Sequence, residues 1–315
     1  MCYTIFVKKI KPNINIWEEC KMYNTGKLLD LHVHSTCSDG KDKVDEIISK
    51  AKLNNVGVLS LTEHYNLGSY QKARALAKDS IEIVPGVEFG TNLECFGMSK
   101  KHVCHIGAYY PSYRIIKVFD IFETSRDKCV KRTIKKLQSL NIPITYSKVE
   151  KYARKKNSIG RFDIAITLYQ MGYSDSPISA YGDYLDCNMP AYINREKLSP
   201  QDLIYQILCA KGVPVLFHPK SLKLNPDDFY DFLVFLKACG LEGLEVYNPH
   251  HTEEQTYNLL CLTNKLDLVP TVGSDYHGLL DRNIEIGKGI NNNLNISNYS
   301  IITRLKERHH KISKG

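Results

Sequence analysis

Nine side chains in this 315-residue sequence are of the types that bind metal ions: His32, His34, His64, His105, His218, His277, Asp39, Glu88 and Asp275. Imidazole and carboxylate together suit Zn, Mn or Fe. One such ion takes about four to six donors. The set is therefore too large for one ion and predicts two or three, with at least one carboxylate bridging. Ions held so closely would grip phosphoryl oxygens and lower the pKa of a shared water, giving a hydroxide near neutral pH. His32 and His34 are two apart on an extended run, so their rings share one face. Each residue also has a plainer reading. A single buried histidine is more often a satisfied core residue, and Phe217-His218-Pro219 alone would be read that way. Six of eleven histidines in one kind of place are harder to assign to chance. The other five (His102, His250, His251, His309 and His310) read as surface residues. His102 replaces His105 if the strand register moves by one turn.

The shared place is the end of a short apolar run. Leu28–Val33 is a predicted buried strand that runs into His32, His34 and Asp39. Val44–Leu53 has apolar residues at Val44, Ile47, Ile48 and Ala51, which is helical spacing, with Asp42 as the expected N-cap. Strand Val56–Leu61 leads to Glu63 and His64, strand Ile81–Val87 to Glu88, and strand Val103–Tyr109 carries His105 near its start. From about 112 to 200 helical periods dominate, over Val118–Leu140, Tyr146–Arg154, Asp163–Met171 and Ala180–Leu185. Alternation then resumes, with strands at Val213–Phe217, Leu244–Val246 and Leu268–Val272, helices between them, and a short strand at Ile284–Ile286. His218 ends the first of these strands, and Asp275 and His277 follow the third. Such alternation predicts a parallel α/β sheet, open or closed into a barrel, and in a barrel the C-terminal strand ends form one site-bearing face.

Composition excludes several other classes. Hydrophobic residues at 43% and charged residues at 24% are ordinary globular usage, not that of a disordered or collagen-like chain. No apolar run approaches the ~18 residues of a membrane span, and the first ten residues lack the core of a signal peptide. The ten cysteines form no CxxC pair, so the expectation is free thiols in a reducing cytoplasm rather than a zinc knuckle. The net charge is +8, yet Arg126–Arg161 alone holds twelve Lys or Arg against Asp127 and Glu150, a local +10. That run is either a solvated helical face or an electrostatic lure for a polyanionic substrate.

The motifs resemble those of the PHP (polymerase and histidinol phosphatase) superfamily. His32-Val33-His34-Ser35-Thr36-Cys37-Ser38-Asp39-Gly40 is similar to its HxHxxxSDG opening, and Thr62-Glu63-His64 to its Thr-Asp-His motif. Pro85-Gly86-Val87-Glu88, His105-Ile106-Gly107, Phe217-His218-Pro219 and Gly273-Ser274-Asp275-Tyr276-His277 resemble the later motifs, in order. Within the superfamily the chain looks most like the TrpH-like phosphoesterases. These carry a helical insertion before the His-Pro strand and include nucleoside 3′,5′-bisphosphate phosphatases and exoribonucleases acting on short RNA. The resemblance implies a distorted (β/α)7 barrel over residues 28–290. Within it lies the helical insertion at about 112–200, preceded by an N-terminal extension at 1–27 and followed by a C-terminal segment at 291–315. It implies three divalent ions (Mn, Fe or Zn). His32, His34, Glu88 and Asp275 would hold the first, and Glu88, shared with His105 and His218, the second. Asp39, His64 and His277 would hold the third. Glu88, Asp275 and His277 would sit at the reacting centre, a bridging hydroxide would attack phosphorus, and Arg161 of Gly160-Arg161-Phe162 would take the substrate phosphate. Three positions depart from the family pattern: Glu63 stands for the usual Asp, Tyr65 follows His64 where an acid is common, and Met189 lies where a lysine or glycine is common.

The implied activity is hydrolysis of a phosphate ester on a small phosphorylated substrate or short oligonucleotide, away from membranes. Histidinol phosphate or a cyclic phosphodiester are alternative substrates. An amidohydrolase-type hydrolase also opens with HxH, but usually needs a carboxylated lysine on a strand, and none is seen. A non-catalytic PHP module would have lost ligands, whereas all nine positions are filled.

Overall fold

A computed structural model describes residues 26–93, 103–154, 159–278 and 283–315. Most of the expected N-terminal extension, including Trp17, and His102 lie outside the described residues. Element order is β1 (Leu28–Val33), α1 (Val44–Leu53), β2 (Val56–Leu61), α2 (Tyr70–Ala77), β3 (Glu82–Ile83), β4 (Gly86–Asn92) and β5 (Val103–Tyr109). Next come α3 (Ile116–Ser139), α4 (Tyr146–Tyr152), α5 (Arg161–Gln170) and α6 (Pro177–Ala180). After these follow α7 (Pro200–Cys209), β6 (Val213–Leu216), α8 (Pro226–Ala238), β7 (Gly243–Tyr247), α9 (Glu253–Lys265) and β8 (Val269–Val272). A hairpin of β9 (Ile284–Glu285) and β10 (Gly289–Ile290) precedes α10 (Ser300–Lys314).

The described residues divide into two compact units. The first holds residues 26–93, 103–115 and the described part of 199–315; the second holds the described part of 116–198. In the first unit the strands form an α/β arrangement of two main sheets rather than one closed ring. β1, β2 and β3 are parallel, while β4, β5, β6, β7 and β8 make a five-stranded sheet. The two sheets are linked by single bridges, Val33 to Tyr276 and His64 to Glu88.

The expected parallel order holds only in part. β4–β5 and β5–β6 are antiparallel, and β6–β7–β8 parallel. A parallel partner needs a crossover of a dozen or more residues, and only residues 93–102 separate β4 from β5. The single strand expected over Ile81–Val87 is two strands in different sheets. Pro85 has no N–H for a ladder and breaks the run. At Gly86 a Cβ would lie 2.3 Å from Ser60 Oγ, so only glycine lets β4 start beside β2.

Helix ends follow ordinary chemistry. Ser199 and Asn225 accept from the N–H groups of Asp202 and Asp228, each with a proline in the first turn. In α1 the apolar stripe Val44, Ile47, Ile48 and Ala51 is buried as expected. Its N-cap is Lys43, not Asp42. The Asp42 carboxylate instead binds Lys50 Nζ and Tyr276 Oη, each at 2.5 Å, which ties α1 to the turn after β8. Helix α10 packs Ile301, Ile302 and Leu305 into the same core as Leu29 and Leu31 of β1, Val213 and Val215 of β6, and Val269 of β8. The second unit is helical and has its own core, built on Val130, Ile134 and Leu137 of α3, Val149 of α4, and Ile164 and Leu168 of α5. Among the described residues no helix is long and apolar enough to cross a membrane, and the seven cysteines form no disulfide.

Candidate metal centre

All nine expected metal ligands belong to the first unit, and the structure brings them together. His32 and His34 sit on and just past the end of β1, both fully buried. Glu88 is the third residue of β4, 1% exposed. His105 lies across the antiparallel pair from Gly90. A Cβ on Gly90 would stand 3.1 Å from the His105 ring, so the glycine makes room for the imidazole to lean toward Glu88. His218 follows β6, Asp275 and His277 follow β8, and Asp39 and His64 lie in the loops after β1 and β2.

Glu88 is the hub. Its Oε1 is 2.8 Å from His105 Nδ1 and 3.0 Å from His218 Nε2. Its Oε2 is 3.1 Å from His34 Nε2, 3.3 Å from His64 Nδ1 and 3.5 Å from His32 Nε2. One carboxylate thus faces five imidazoles. Asp275 Oδ1 lies 3.3 Å from His32 Nε2 and 3.5 Å from His34 Nε2. Asp39 lies 3.4 Å from His64 Nε2 and 3.5 Å from both His34 Nδ1 and His277 Nε2. Three groups have donor atoms all within 4.8 Å of one another: His34 with Asp39, His64 and His277; His32 with Glu88 and His218; and His32 with His34 and Asp275.

These contacts are poor hydrogen-bond partners for one another but a good cation cradle. His32 Nε2 meets His34 Nε2 at 3.2 Å, and His105 Nδ1 meets His218 Nε2 at 3.0 Å. Two ring nitrogens share at most one proton. His64 Nδ1 is buried and makes no hydrogen bond. Such convergence of imidazole and carboxylate is the donor chemistry of Zn, Mn or Fe, so the residues fit the metal ions implied by the motifs.

The electrostatics agree. Burial alone would raise the Glu88 carboxyl, but His105, His64 and His32 around it hold it well below the usual carboxylate range. Burial disfavours charge on His32, yet Asp275, Glu245 and Glu88 push it well above the usual imidazole value. For His277, burial is likewise outweighed, first by its hydrogen bond to Asp39, and it is pushed up to about 9. Burial pulls His34 and His105 down. Without an ion, protons on some imidazoles neutralise the carboxylates, so metal uptake must release protons.

Two ligand positions carry unusual backbone. His218 has φ 26° and Asp275 φ 55°, both in the left-handed region. Such residues cost ~1–3 kcal/mol each and persist only where surrounding contacts hold them. Tyr276, between Asp275 and His277, is held at its hydroxyl by Asp42 and Lys50.

Several residues the sequence reading passed over, or treated only as a departure, surround the ligands. Glu63 is fully buried; it bonds Ser35 Oγ, and Ser38 Oγ at 2.5 Å, and Ser38 Oγ in turn lies 3.3 Å from His34 Nδ1. Its extra methylene over aspartate is what spans to both serines. Asp30 accepts from the N–H groups of Ser274 and Gly287, each at 2.8–2.9 Å, and burial pushes it up to about 6. Glu245, inside β7, lies 3.1 Å from His32 Nδ1. For Asp30 and Glu245 the one sign in the sequence is an acid inside an apolar run, though not what it touches. His251, expected at the surface, is buried, with Nδ1 donating to the Val246 carbonyl at 2.8 Å.

Arg161, the expected phosphate contact, belongs to the second unit. There its Nη2 donates to the Ile193 carbonyl at 2.6 Å, and its guanidinium stacks 4.7 Å from the Tyr192 ring centre.

Comparison with known proteins agrees with this geometry. The chain is 28% identical over 265 residues to the 5′-3′ exoribonuclease of Haemophilus influenzae, covering 84% of this chain and 94% of that one. It is 23% identical over 250 residues to the 3′,5′-nucleoside bisphosphate phosphatase of Chromobacterium violaceum, covering 79% and 87%. A solved structure described as a metal-dependent phosphoesterase from Bifidobacterium adolescentis shares the fold, with TM-score 0.64, 24% identity, and coverage of 90% of this chain and 97% of that one. Residues 30–178 match the PHP domain model, and this stretch supplies His32, His34, Asp39, His64, Glu88 and His105.

Proposed function

We propose that this chain is a metal-dependent phosphoesterase that hydrolyses a phosphate ester of a nucleoside 3′,5′-bisphosphate or at the 5′ end of a short RNA. The observation that carries the reading is the buried Glu88 carboxylate facing five imidazoles, with Asp39 and Asp275 at the same cluster. The relatives named above are, by name, a 5′-3′ exoribonuclease and a 3′,5′-nucleoside bisphosphate phosphatase, which supports these two substrate classes.

In this reading three ions are held. His32, His34, Glu88 and Asp275 hold one, Glu88 with His105 and His218 a second, and Asp39, His64 and His277 a third. Bound there, the ions supply Lewis acidity to phosphoryl oxygens and lower the pKa of water. The chain's own residues do the rest. Glu88 would serve two of these sites, with Oε1 toward His105 and His218 and Oε2 toward His32 and His34. His277 Nδ1 donates to the Asp275 carbonyl at 2.8 Å, which leaves Nε2 as the donor atom facing Asp39. Glu88, Asp275 and His277 thereby frame the reacting centre. Arg161 takes a substrate phosphate, its plane fixed by Tyr192 and Ile193 as bidentate phosphate binding requires. The two main sheets are the arcs of one distorted (β/α)7 barrel, a view supported by the bridges Val33–Tyr276 and His64–Glu88.

The test is product release, resolved by chromatography, with Mn2+ present, from adenosine 3′,5′-bisphosphate, 5′-phosphorylated di- and trinucleotides, L-histidinol phosphate and a cyclic phosphodiester. Fast release from the first two kinds is the expected result. Turnover confined to histidinol phosphate or the cyclic ester would overturn the substrate assignment.

A further inference from the structure

Glu245 stands outside the nine ligands yet touches two of them. It is the third residue of β7 and 1% exposed. Its Oε1 lies 3.1 Å from His32 Nδ1, and its Oε2 accepts the His218 backbone N–H at 2.5 Å. One carboxylate on β7 therefore joins the end of β1 to the turn after β6.

The surroundings are built for this contact. At Gly273, just after β8, a Cβ would sit 2.2 Å from Glu245 Oε1 and 2.2 Å from His32 Cβ. Any side chain there would push the pair apart. His218 has φ 26°, a costly backbone conformation, and its N–H is bonded to the buried Glu245 carboxylate, one of the contacts that hold the turn. On its other side the His32 ring lies against Phe217, centroids 4.1 Å apart, which blocks rotation.

We infer that Glu245 is a positioning residue for the metal centre, holding the His32 proton on Nδ1 and locking the His218 turn. The inference rests on the metal-dependent reading above. A carboxylate accepts hydrogen bonds and does not donate, so the Nδ1 that faces Glu245 is the nitrogen that carries the proton. Once metal uptake releases the second proton, the lone pair lies on Nε2, the atom that faces Glu88, His34 and Asp275. A carboxylate behind a ligating histidine fixes its tautomer and orientation in this way.

Glu245→Gln separates this role from bulk packing, because the shape is kept and only the hydrogen-bonding pattern changes. The amide has one accepting atom for two donors. With its oxygen on the His218 N–H, its NH2 faces His32 Nδ1 and drives the proton to Nε2. With the reverse orientation, the NH2 meets the His218 N–H. The probe is Zn2+, titrated into metal-free wild type and Glu245→Gln, with bound zinc per chain and 15N-resolved imidazole signals as readouts. The expected result is ~10–100-fold weaker uptake at one site and loss of the His32 Nδ1–H signal seen in the zinc-loaded wild type. Equal uptake with an unchanged His32 signal would overturn this inference alone. A wild type that takes up no zinc would overturn the metal reading and this inference together. Should Glu245→Gln fail to fold, the zinc-loaded wild type decides: a proton on His32 Nδ1 supports the role, and a proton on Nε2 overturns it.

Discussion

Glu88 faces five imidazoles from one buried carboxylate, and in the proposed metal centre the residues around it matter in proportion to how directly they face it. His218 is the clearest case, since its Nε2 lies 3.0 Å from Glu88 Oε1. His218→Ala is expected to lower phosphate release at least ~100-fold, beyond the range found for residues behind ligands, while far-UV circular dichroism stays that of the wild type. Near-wild-type turnover would remove His218 from the ligand set. The cluster of nine side chains was legible in the sequence because imidazole and carboxylate at strand ends announce themselves by type and place. Glu63 and Glu245 were not, because their meaning lies in what they touch. Ser35, Ser38 and His32 come within reach of them only in the folded chain.

The strands and helices do the positioning, and here apolar runs predicted more than direction. Most elements fall within a few residues of their expected bounds, since burial on one face imposes its own period. The antiparallel β4–β5–β6 arrangement was hidden because apolar content says where a strand is and not which way its neighbour runs. One consequence lies at Gly107 of β5, where a Cβ would be 2.0 Å from the Phe217 ring. Gly107→Ala must displace that ring, whose centre lies 4.1 Å from that of His32, so a loss of ~1–3 kcal/mol of stability is expected, together with weaker metal uptake. Urea unfolding and a metal titration read the two effects, and an unchanged midpoint would contradict the packing argument. Helix α10 offers a pH-dependent test. Arg308 binds the Asp267 side chain and accompanies it with a bond to its carbonyl at 3.1 Å. That hydrogen bond holds the Asp267 carboxyl below its ordinary value of 3.8. Because the folded value is the lower one, the stabilisation is present above pH 3.8 and is lost as pH falls through and below it. The pair is exposed, so Asp267→Asn should cost only ~0–1 kcal/mol near neutral pH, with the difference from wild type shrinking in acid. A difference that grew in acid would have the wrong sign.

Taken whole, one unit gathers the nine side chains proposed to bind metal, and the other carries most of the +10 run from Arg126 to Arg161. That division was visible in the sequence as a change from strand–helix alternation to helical periods near 112. How many ions the cluster holds was not visible, since nine donors allow two or three. Ions that bind the folded chain and not the unfolded one must stabilise it by mass action. The decisive measurement is a Mn2+ or Zn2+ titration of chelator-stripped protein that follows bound metal, melting temperature and phosphate release from adenosine 3′,5′-bisphosphate together. The expected result is a stripped protein that is folded but inactive, three ions bound at saturation, and a melting temperature and activity that rise with uptake. Full activity in the stripped protein, with no metal bound, would contradict the metal-dependent account.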